Sequence, residues 1–219
     1  MALKAIYYPV GTKDNPINFD SLFIPYIYRE IYFEGVYNDV VTGRDDMVVV
    51  DVGANIGIVT QYLKRFSKKV YSIEPSKTHF EALKANKEKN GWNKVEIFNF
   101  AIADKDGEMI LNTNNQNLTC NSLTLDYKQG GEKVETKTFS TFFKENNIKE
   151  VDFVKFDVEG AEDMILLSDD FRKVANKIRA IEVEFHFPTF PKIVKRMIEL
   201  GYEARRYNSS AVIILFTKK

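Results

Sequence analysis

The stretch Met47-Val48-Val49-Val50-Asp51-Val52-Gly53-Ala54-Asn55-Ile56-Gly57 changes its periodicity partway along. Its first four residues form a largely β-branched run that reads as a strand buried on both faces. Ile56, Val59, Leu63 and Phe66 then recur at helical spacing, so the chain turns from strand to helix between Asp51 and Gly57. Such a turn points backbone N–H groups and the helix dipole at the C-terminal edge of a sheet, where open α/β sheets bind ligands. Gly53 allows the tight turn, and Gly57 removes a side chain where helix and strand approach. Asp51 is placed either to accept from a ligand's amino group or to order the loop.

Outward from this turn, Glu74 lies seventeen positions after Gly57, at the end of a second strand over Val70 to Ile73. A carboxylate there is placed to accept both hydroxyls of a ribose, so loop and acid together imply a nucleoside. A dinucleotide fingerprint would need glycines at 53, 55 and 58, but the last two are Asn55 and Ile58. No Gly-Lys-Ser/Thr follows either, so a pyrophosphate is poorly served. Taken alone, Gly53-x-x-x-Gly57 is also compatible with a plain strand–helix turn.

From residue 47 onward strands and helices alternate, predicting a parallel sheet with helices on both faces. Further strands are expected at Val95–Phe98, Val151–Phe156 and Ile178–Phe185, with a short extra strand over residues 108–111 after the turn Asp104-Lys105-Asp106-Gly107. Thr78-His79-Phe80-Glu81 has capping-box spacing ahead of a helix that stops at Asn90-Gly91. Other helices are expected from Ala161 and over residues 191–200. Residues 202–206 and 211–216 flank Asn208-Ser209-Ser210 and read as a hairpin that adds an antiparallel edge. Residues 1–46 carry Phe23, Tyr26, Tyr28, Tyr32, Phe33 and Tyr37 at roughly helical intervals, a packing face or a cover. Residues 112–121 are asparagine-rich and aperiodic, a candidate binding loop. No linker divides the chain, so 1–219 is read as one domain with a 1–46 cover over a 47–219 core.

Hydrophobic residues at 44% and charged residues at 28% are ordinary globular usage, which predicts a folded chain. Thirty-one basic against thirty-one acidic side chains leave no net field for nucleic acid or an anionic membrane, which favours small-molecule partners. Cys120 is the single cysteine, so an internal disulfide and a cysteine metal cluster are excluded. That suits a reducing compartment, and no apolar run has the length of a signal or a membrane span, so the cytoplasm is the expected location.

Two further stretches carry chemistry. In Lys155-Phe156-Asp157-Val158-Glu159-Gly160-Ala161-Glu162, strand alternation sends Lys155, Asp157 and Glu159 to one side, the last two at the sheet's mouth. Ionisable groups in a buried strand need partners, which points to a functional site; the alternative is a Lys155–Asp157 pair that only steadies the loop. In Ile181-Glu182-Val183-Glu184-Phe185-His186, Glu182, Glu184 and His186 alternate with apolar residues, again at a strand end. His186 is a candidate base or substrate contact, whereas His79, in a helical first turn, is expected at the surface. Glu184, His186 and Asp157 have no metal-ligand spacing, and no metal is expected.

The glycine-loop stretch, Glu74-Pro75 and the string from Lys155 to Glu162 resemble the FkbM-type methyltransferases in order and spacing. The resemblance runs over roughly residues 30–186, and its most specific part is Asp157-Val158-Glu159-Gly160-Ala161-Glu162. It implies a seven-stranded Rossmann-like class I methyltransferase fold, S-adenosylmethionine as donor, and O-methylation of a small hydroxyl-bearing acceptor such as a sugar or secondary metabolite. Donor contacts implied or expected are Tyr37, Asp51, Gly53, Ala54, Asn55, Gly57, Glu74, Pro75, Ala101 and Asp157. For Tyr37 the physical reason is a cation–π contact with the positive sulfur. Asp157, Glu159 and His186 are the candidate catalytic groups, acting on the hydroxyl proton while alignment supplies much of the rate. The rival readings are a nucleic-acid methyltransferase, disfavoured because no Asn/Asp-Pro-Pro-aromatic string follows the fourth strand, and a non-catalytic nucleoside-binding module of the same fold.

Overall fold

The computed structural model describes residues 24–114, 121–186, 190–208 and 212–218. Phe23, the Tyr26 side chain, Cys120, the centre of the asparagine-rich loop and the turn of the C-terminal hairpin lie outside the described residues. The first half of the chain gives α1 (Ile24–Tyr32), α2 (Asn38–Val41), β1 (Met47–Val52), α3 (Ile58–Leu63), β2 (Ser67–Ile73), α4 (Lys77–Lys89) and β3 (Val95–Phe98). Then come β4 (Ala101–Ile102), β5 (Gly107–Asn112), β6 (Gly131–Lys137) and α5 (Phe139–Glu145). The last part holds β7 (Val151–Phe156), α6 (Glu162–Leu166), α7 (Asp169–Val174), β8 (Ile178–Phe185), α8 (Phe190–Glu199), β9 (Tyr202–Asn208) and β10 (Val212–Lys218).

Seven strands form one sheet in the order β3-β2-β1-β7-β8-β10-β9, the first five parallel and β10 antiparallel to both neighbours. The expected mostly parallel seven-stranded sheet with an antiparallel C-terminal hairpin is therefore observed. The chain runs outward from β1 through β2 and β3, then returns to pair β7 on the other side of β1, which opens a crevice at the C-terminal ends of β1 and β7.

Strand alternation distributes the core. Val50, Val52, Val154, Phe156, Ile181 and Val183 pack on one face with α5, α6, α7 and α8. Met47, Val49, Phe153 and Ala180 pack on the other with α1, α3 and α4. Asp51, Lys155 and Glu182 share the parity of this second face, so three ionisable side chains sit beneath α1 and α3 rather than in solvent.

The expected short extra strand is β5, and it pairs β6, which pairs β4, in a three-stranded sheet separate from the main one. Two local outcomes differ from the expectations. β6 and α5 went unread because Glu132, Lys133, Glu135 and Lys137 interrupt the apolar signal of Val134, and Phe139, Phe142 and Phe143 in a seven-residue helix mimic a strand. Ser76, not Thr78, is the N-cap of α4: its carbonyl accepts from Phe80 N at 2.8 Å, and the chain enters the helix directly from the Glu74-Pro75 corner.

Candidate active site

The parallel register sets Ser72, Asp51, Lys155 and Glu182 side by side on β2, β1, β7 and β8. Asp51 is fully buried; its Oδ2 accepts from Thr60 Oγ1 at 2.6 Å, and Thr60 is also 2.8 Å from Ser72 Oγ. Lys155 Nζ donates to Gly53 O at 2.8 Å and to Asp157 Oδ2 at 3.2 Å, and lies 3.8 Å from Asp51 Oδ1. Burial alone would lower the Lys155 pKa, but the carboxylates of Asp157, Asp51 and Glu184 outweigh it and hold the amine charged. Asp51 is pushed up by its burial, opposed by Lys155 and the Thr60 hydrogen bond. Lys155 thus ties Gly53 O of the glycine loop to Asp157 at the end of β7.

The loop above the row is tightly closed on itself. Gly53 and Ala54 N–H both donate to Ile73 O at 3.0 Å, Asn55 N–H to Glu74 Oε2 at 2.8 Å, Ile56 N–H to Asn55 Oδ1 at 2.8 Å and Gly57 N–H to Ala54 O at 2.9 Å. Gly53, at φ +77°, passes so close to β7 that a Cβ would fall 1.8 Å from Asp157 O. A Cβ on Gly57 would meet Leu83 at 2.7 Å and Trp92 at 2.9 Å, so this glycine admits α4 and the following loop against α3. Glu74 is held by two backbone donors, Asn55 N on Oε2 and Ser76 N on Oε1, the latter at 2.9 Å. Asn99 Nδ2 bridges Glu74 O and Pro75 O, both at 2.9 Å, and fixes the corner from β3. His79 is not at the surface as expected: its side chain is 12% exposed, with Nδ1 3.8 Å from Glu74 Oε1.

Acidic groups gather at the mouth. Glu159 adopts φ +51° and Gly160 φ +100°, which turns the chain sharply between β7 and α6. The hydroxyls of Ser122 and Thr124, just beyond the asparagine-rich loop, donate to Glu159 O at 2.5 Å and Gly160 O at 2.9 Å and brace this turn. His186 at the end of β8 has Nε2 3.3 Å from Glu159 Oε2 and 3.8 Å from Asp157 Oδ1, and Nδ1 2.8 Å from Glu162 Oε1. Burial opposes protonation of His186, but the hydrogen bond to Glu162 and the charges of Asp157 and Glu159 raise its pKa to about 9. Glu159 and Glu184 are each raised to about 7 by burial first and by Asp157 next. Glu30 of α1 is raised as well, by burial and by Glu34 and Asp157. The ligand atoms of Asp157, Glu159 and His186 fall within 4.8 Å of one another, a span one cation could bridge.

Fold and register therefore bring together Asp51, Gly53, Ala54, Asn55, Gly57, Glu74, Pro75 and Asp157 on one side of the crevice, and Glu159 and His186 beside Asp157. Tyr37, 6% exposed, packs its ring edge-on to Phe153 at 6.0 Å beneath the acidic groups, and burial, then Glu182, Asp51, Asp157 and Glu184, raise its pKa. Ala101 is 4% exposed and packs with Leu111 and Val134 in the small sheet. Asn99, Ser122 and Thr124 escaped the sequence reading because polar residues outside periodic segments carry no pattern. Glu162 was visible only as part of the string that contains it.

A family model described as the methyltransferase FkbM domain matches residues 51–204. "Methyltransferase 1" of Beauveria bassiana (strain ARSEF 2860) is 28% identical over 164 residues, 65% of this chain and 66% of that protein. "Methyltransferase sdnD" of Sordaria araneosa is 26% identical over 217 residues, 83% of each. Among solved structures, the FkbM methyltransferase from Methylobacillus flagellatus KT superposes with TM-score 0.58 at 16% identity, covering 87% of this chain and 47% of that one. The chain thus spans under half of that protein and about two thirds of the Beauveria relative. Magnesium protoporphyrin IX methyltransferase from Synechocystis PCC 6803, solved with S-adenosylmethionine bound, gives TM-score 0.54 at 14% identity over 92% of this chain and 86% of its own. These distant superpositions establish the class I methyltransferase fold, and the domain match over most of the chain establishes more: the chain belongs to the FkbM methyltransferase family.

Proposed function

We propose that this methyltransferase transfers the methyl group of S-adenosylmethionine to a hydroxyl of a small acceptor such as a sugar or a secondary metabolite. The observation that carries the reading is the closed hydrogen bonding of the glycine loop. Every N–H from Gly53 to Gly57 has a partner inside the protein, so the loop offers no cradle for a pyrophosphate, and a phosphate-free nucleoside fits. S-Adenosylmethionine has no phosphate and, when bound, supplies a methyl carbon made electrophilic by a positive sulfur.

Around it each residue has a stated task. Glu74, fixed through one backbone bond on each oxygen, keeps a second lone pair on each for the ribose hydroxyls, and Pro75 and Asn99 hold that corner. Gly53, Ala54, Asn55 and Gly57 shape the loop, while Asp51, being fully buried, orders it. Asp157 faces the donor's ammonium end, Tyr37 lends the sulfur a ring, and Ala101 contributes a small wall from the neighbouring sheet. Asp157, Glu159 and His186 form the group that receives the acceptor's proton. Glu30, Asp157, Glu159 and Glu184 give the mouth a negative potential, which repels a nucleic-acid backbone and supports a neutral acceptor. The single Cys120 keeps the cytoplasm as the proposed location, and among the described residues no helix is long and apolar enough to cross a membrane. Residues 1–219 are taken as one domain in this reading.

The test is an unbiased screen: purified protein, isotopic methyl donor and a metabolite extract, with the labelled product identified by mass spectrometry. A methyl ether on a small polyol or secondary metabolite supports the proposal. Label on nucleic acid would replace the acceptor class, and calorimetric binding of NADH with none of the donor would replace the reaction.

A further inference from the structure

Resting on the methyl-transfer reading above, we propose that Glu162 is a positioning residue: it holds the His186 imidazole by Nδ1, presents Nε2 to the mouth beside Asp157 and Glu159, and so makes His186 the acceptor of the hydroxyl proton. Glu162 opens α6 with its side chain 3% exposed, a place where an unpaired carboxylate would be costly. Its Oε1 accepts from Gly160 N at 3.0 Å and lies 2.8 Å from His186 Nδ1, so the turn that carries Glu159 also fixes the carboxylate that fixes the ring. An imidazole whose Nδ1–H is given to a carboxylate leaves Nε2 as its acceptor. Nε2 points at Glu159 Oε2 and Asp157 Oδ1, and that Oδ1 is buried without a hydrogen-bond partner among the described residues.

This arrangement divides the work. Glu162 sets the tautomer and the ring plane, while Asp157 and Glu159 border the space in which an acceptor hydroxyl meets Nε2. The O–H bond breaks and an N–H bond forms at Nε2 as the oxygen's electron pair forms the new bond to the methyl carbon, whose bond to sulfur breaks with its electron pair left on the neutral thioether. The resulting imidazolium is stabilised by Glu162, Asp157 and Glu159 and returns its proton to solvent over the exposed part of the ring. The charged groups facing it are Asp157 and Glu159 from the turn after β7, Glu162 from α6 and Glu184 from β8, with Lys155 behind Asp157 and Glu30 across on α1. Their surplus of negative charge keeps the ring protonated until a cationic ligand enters, which couples the base to occupancy of the donor site.

His79 and His186 are the only histidines in the chain, so protein carrying 15N-labelled histidine shows two imidazole patterns, assigned with His79→Gln. Wild-type His186, above its titration midpoint, is expected to carry its proton on Nδ1, the reverse of the tautomer that free histidine side chains favour. Glu162→Gln should weaken proton affinity of the ring by about tenfold or more. An Nε2–H tautomer in the wild type overturns the proposal with no variant needed, and so does a midpoint that Glu162→Gln leaves in place. Calorimetry with S-adenosylhomocysteine separates the two levels: Glu162→Gln should bind it within about threefold of wild type, whereas a wild type that fails to bind it overturns the donor reading itself. With the acceptor fraction from the extract screen, the rise of rate with pH should shift to lower pH in Glu162→Gln by as much as the ring's midpoint. A limb that stays put overturns His186 as the proton acceptor.

Discussion

At the scale of single residues, the same backbone angle carries different costs in different surroundings. Gly43 and Gly53 have φ of +74° and +77°, but a Cβ on Gly43 meets nothing within 4 Å, while on Gly53 it strikes Asp157 O. Gly43→Ala should therefore cost about 1–2 kcal/mol, the strain of a left-handed residue alone. Gly53→Ala should cost clearly more and also lose S-adenosylhomocysteine affinity, because the end of β7 must move. Urea melts and calorimetry on both variants check this, and equal costs would refute the close approach. His186 makes a second residue-scale prediction. Its pKa is raised from 6.5 to about 9, so the stability it contributes is complete below 6.5 and is lost as pH rises through about 9. Glu159 and Glu184, raised from 4.5 to about 7, lose their contribution in the same direction but at lower pH. The melting temperature should fall between pH 6.5 and about 9 in the wild type and less in His186→Gln, where Glu159 and Glu184, no longer lowered by the imidazolium charge, keep part of the fall. An unchanged fall in the variant would assign the effect to other groups.

At the scale of elements, the asparagine-rich loop is stitched to the site at its base. Asn112 and Ser122 exchange backbone hydrogen bonds, and Ser122 and Thr124 then hold Glu159 and Gly160. The turn with Glu159 at positive φ is thus supported from outside itself, and Ser122→Ala should cost about 1 kcal/mol while lowering acceptor turnover more than donor affinity. Replacing residues 113–119 with a short Gly/Ser connection spares that brace. Donor affinity should stay within a few-fold while turnover drops about tenfold or more, the separation expected if the core binds the donor and the loop positions the acceptor. Parallel measurements of S-adenosylhomocysteine binding and labelled product decide it, and equal losses would place the loop in the structural core.

At the scale of the whole molecule, β10 lies between β8 and β9 and buries Ile214, Leu215 and Phe216, so the hairpin is part of the sheet's interior. Ending the chain at Gly201 would bare the edge of β8, next to Glu182, Glu184 and His186, and should yield aggregated protein without cooperative melting. In the intact protein the crevice between β1 and β7 joins the two halves of the sheet, so a ligand there stabilises both. S-Adenosylhomocysteine at about a hundred times its dissociation constant should add about 2.7 kcal/mol, or roughly 5–10 °C in melting temperature for a chain of this size. NADH should add nothing, and thermal melts with each ligand make the comparison.

The repeating βα order, the glycine loop with its matched acid, and the side each strand residue faces were all legible from local pattern, because period and turn chemistry act between near neighbours. Lys155 and Glu182 could each be placed on a strand in this way, and Asp51 and His186 at a strand's end. What pairs with what could not. That Asp51, Lys155 and Glu182 stand in one buried row depends on strand order and register, which non-local packing decides. His79 turning toward Glu74, β6 pairing β5 away from the main sheet, and Ser122 reaching Glu159 are likewise contacts between segments distant in sequence. Local pattern along the chain was therefore enough to give the class of fold. The meeting of His186 with Glu162 came from the folded packing, because side chains on different elements acquire a common environment when the sheet closes between them.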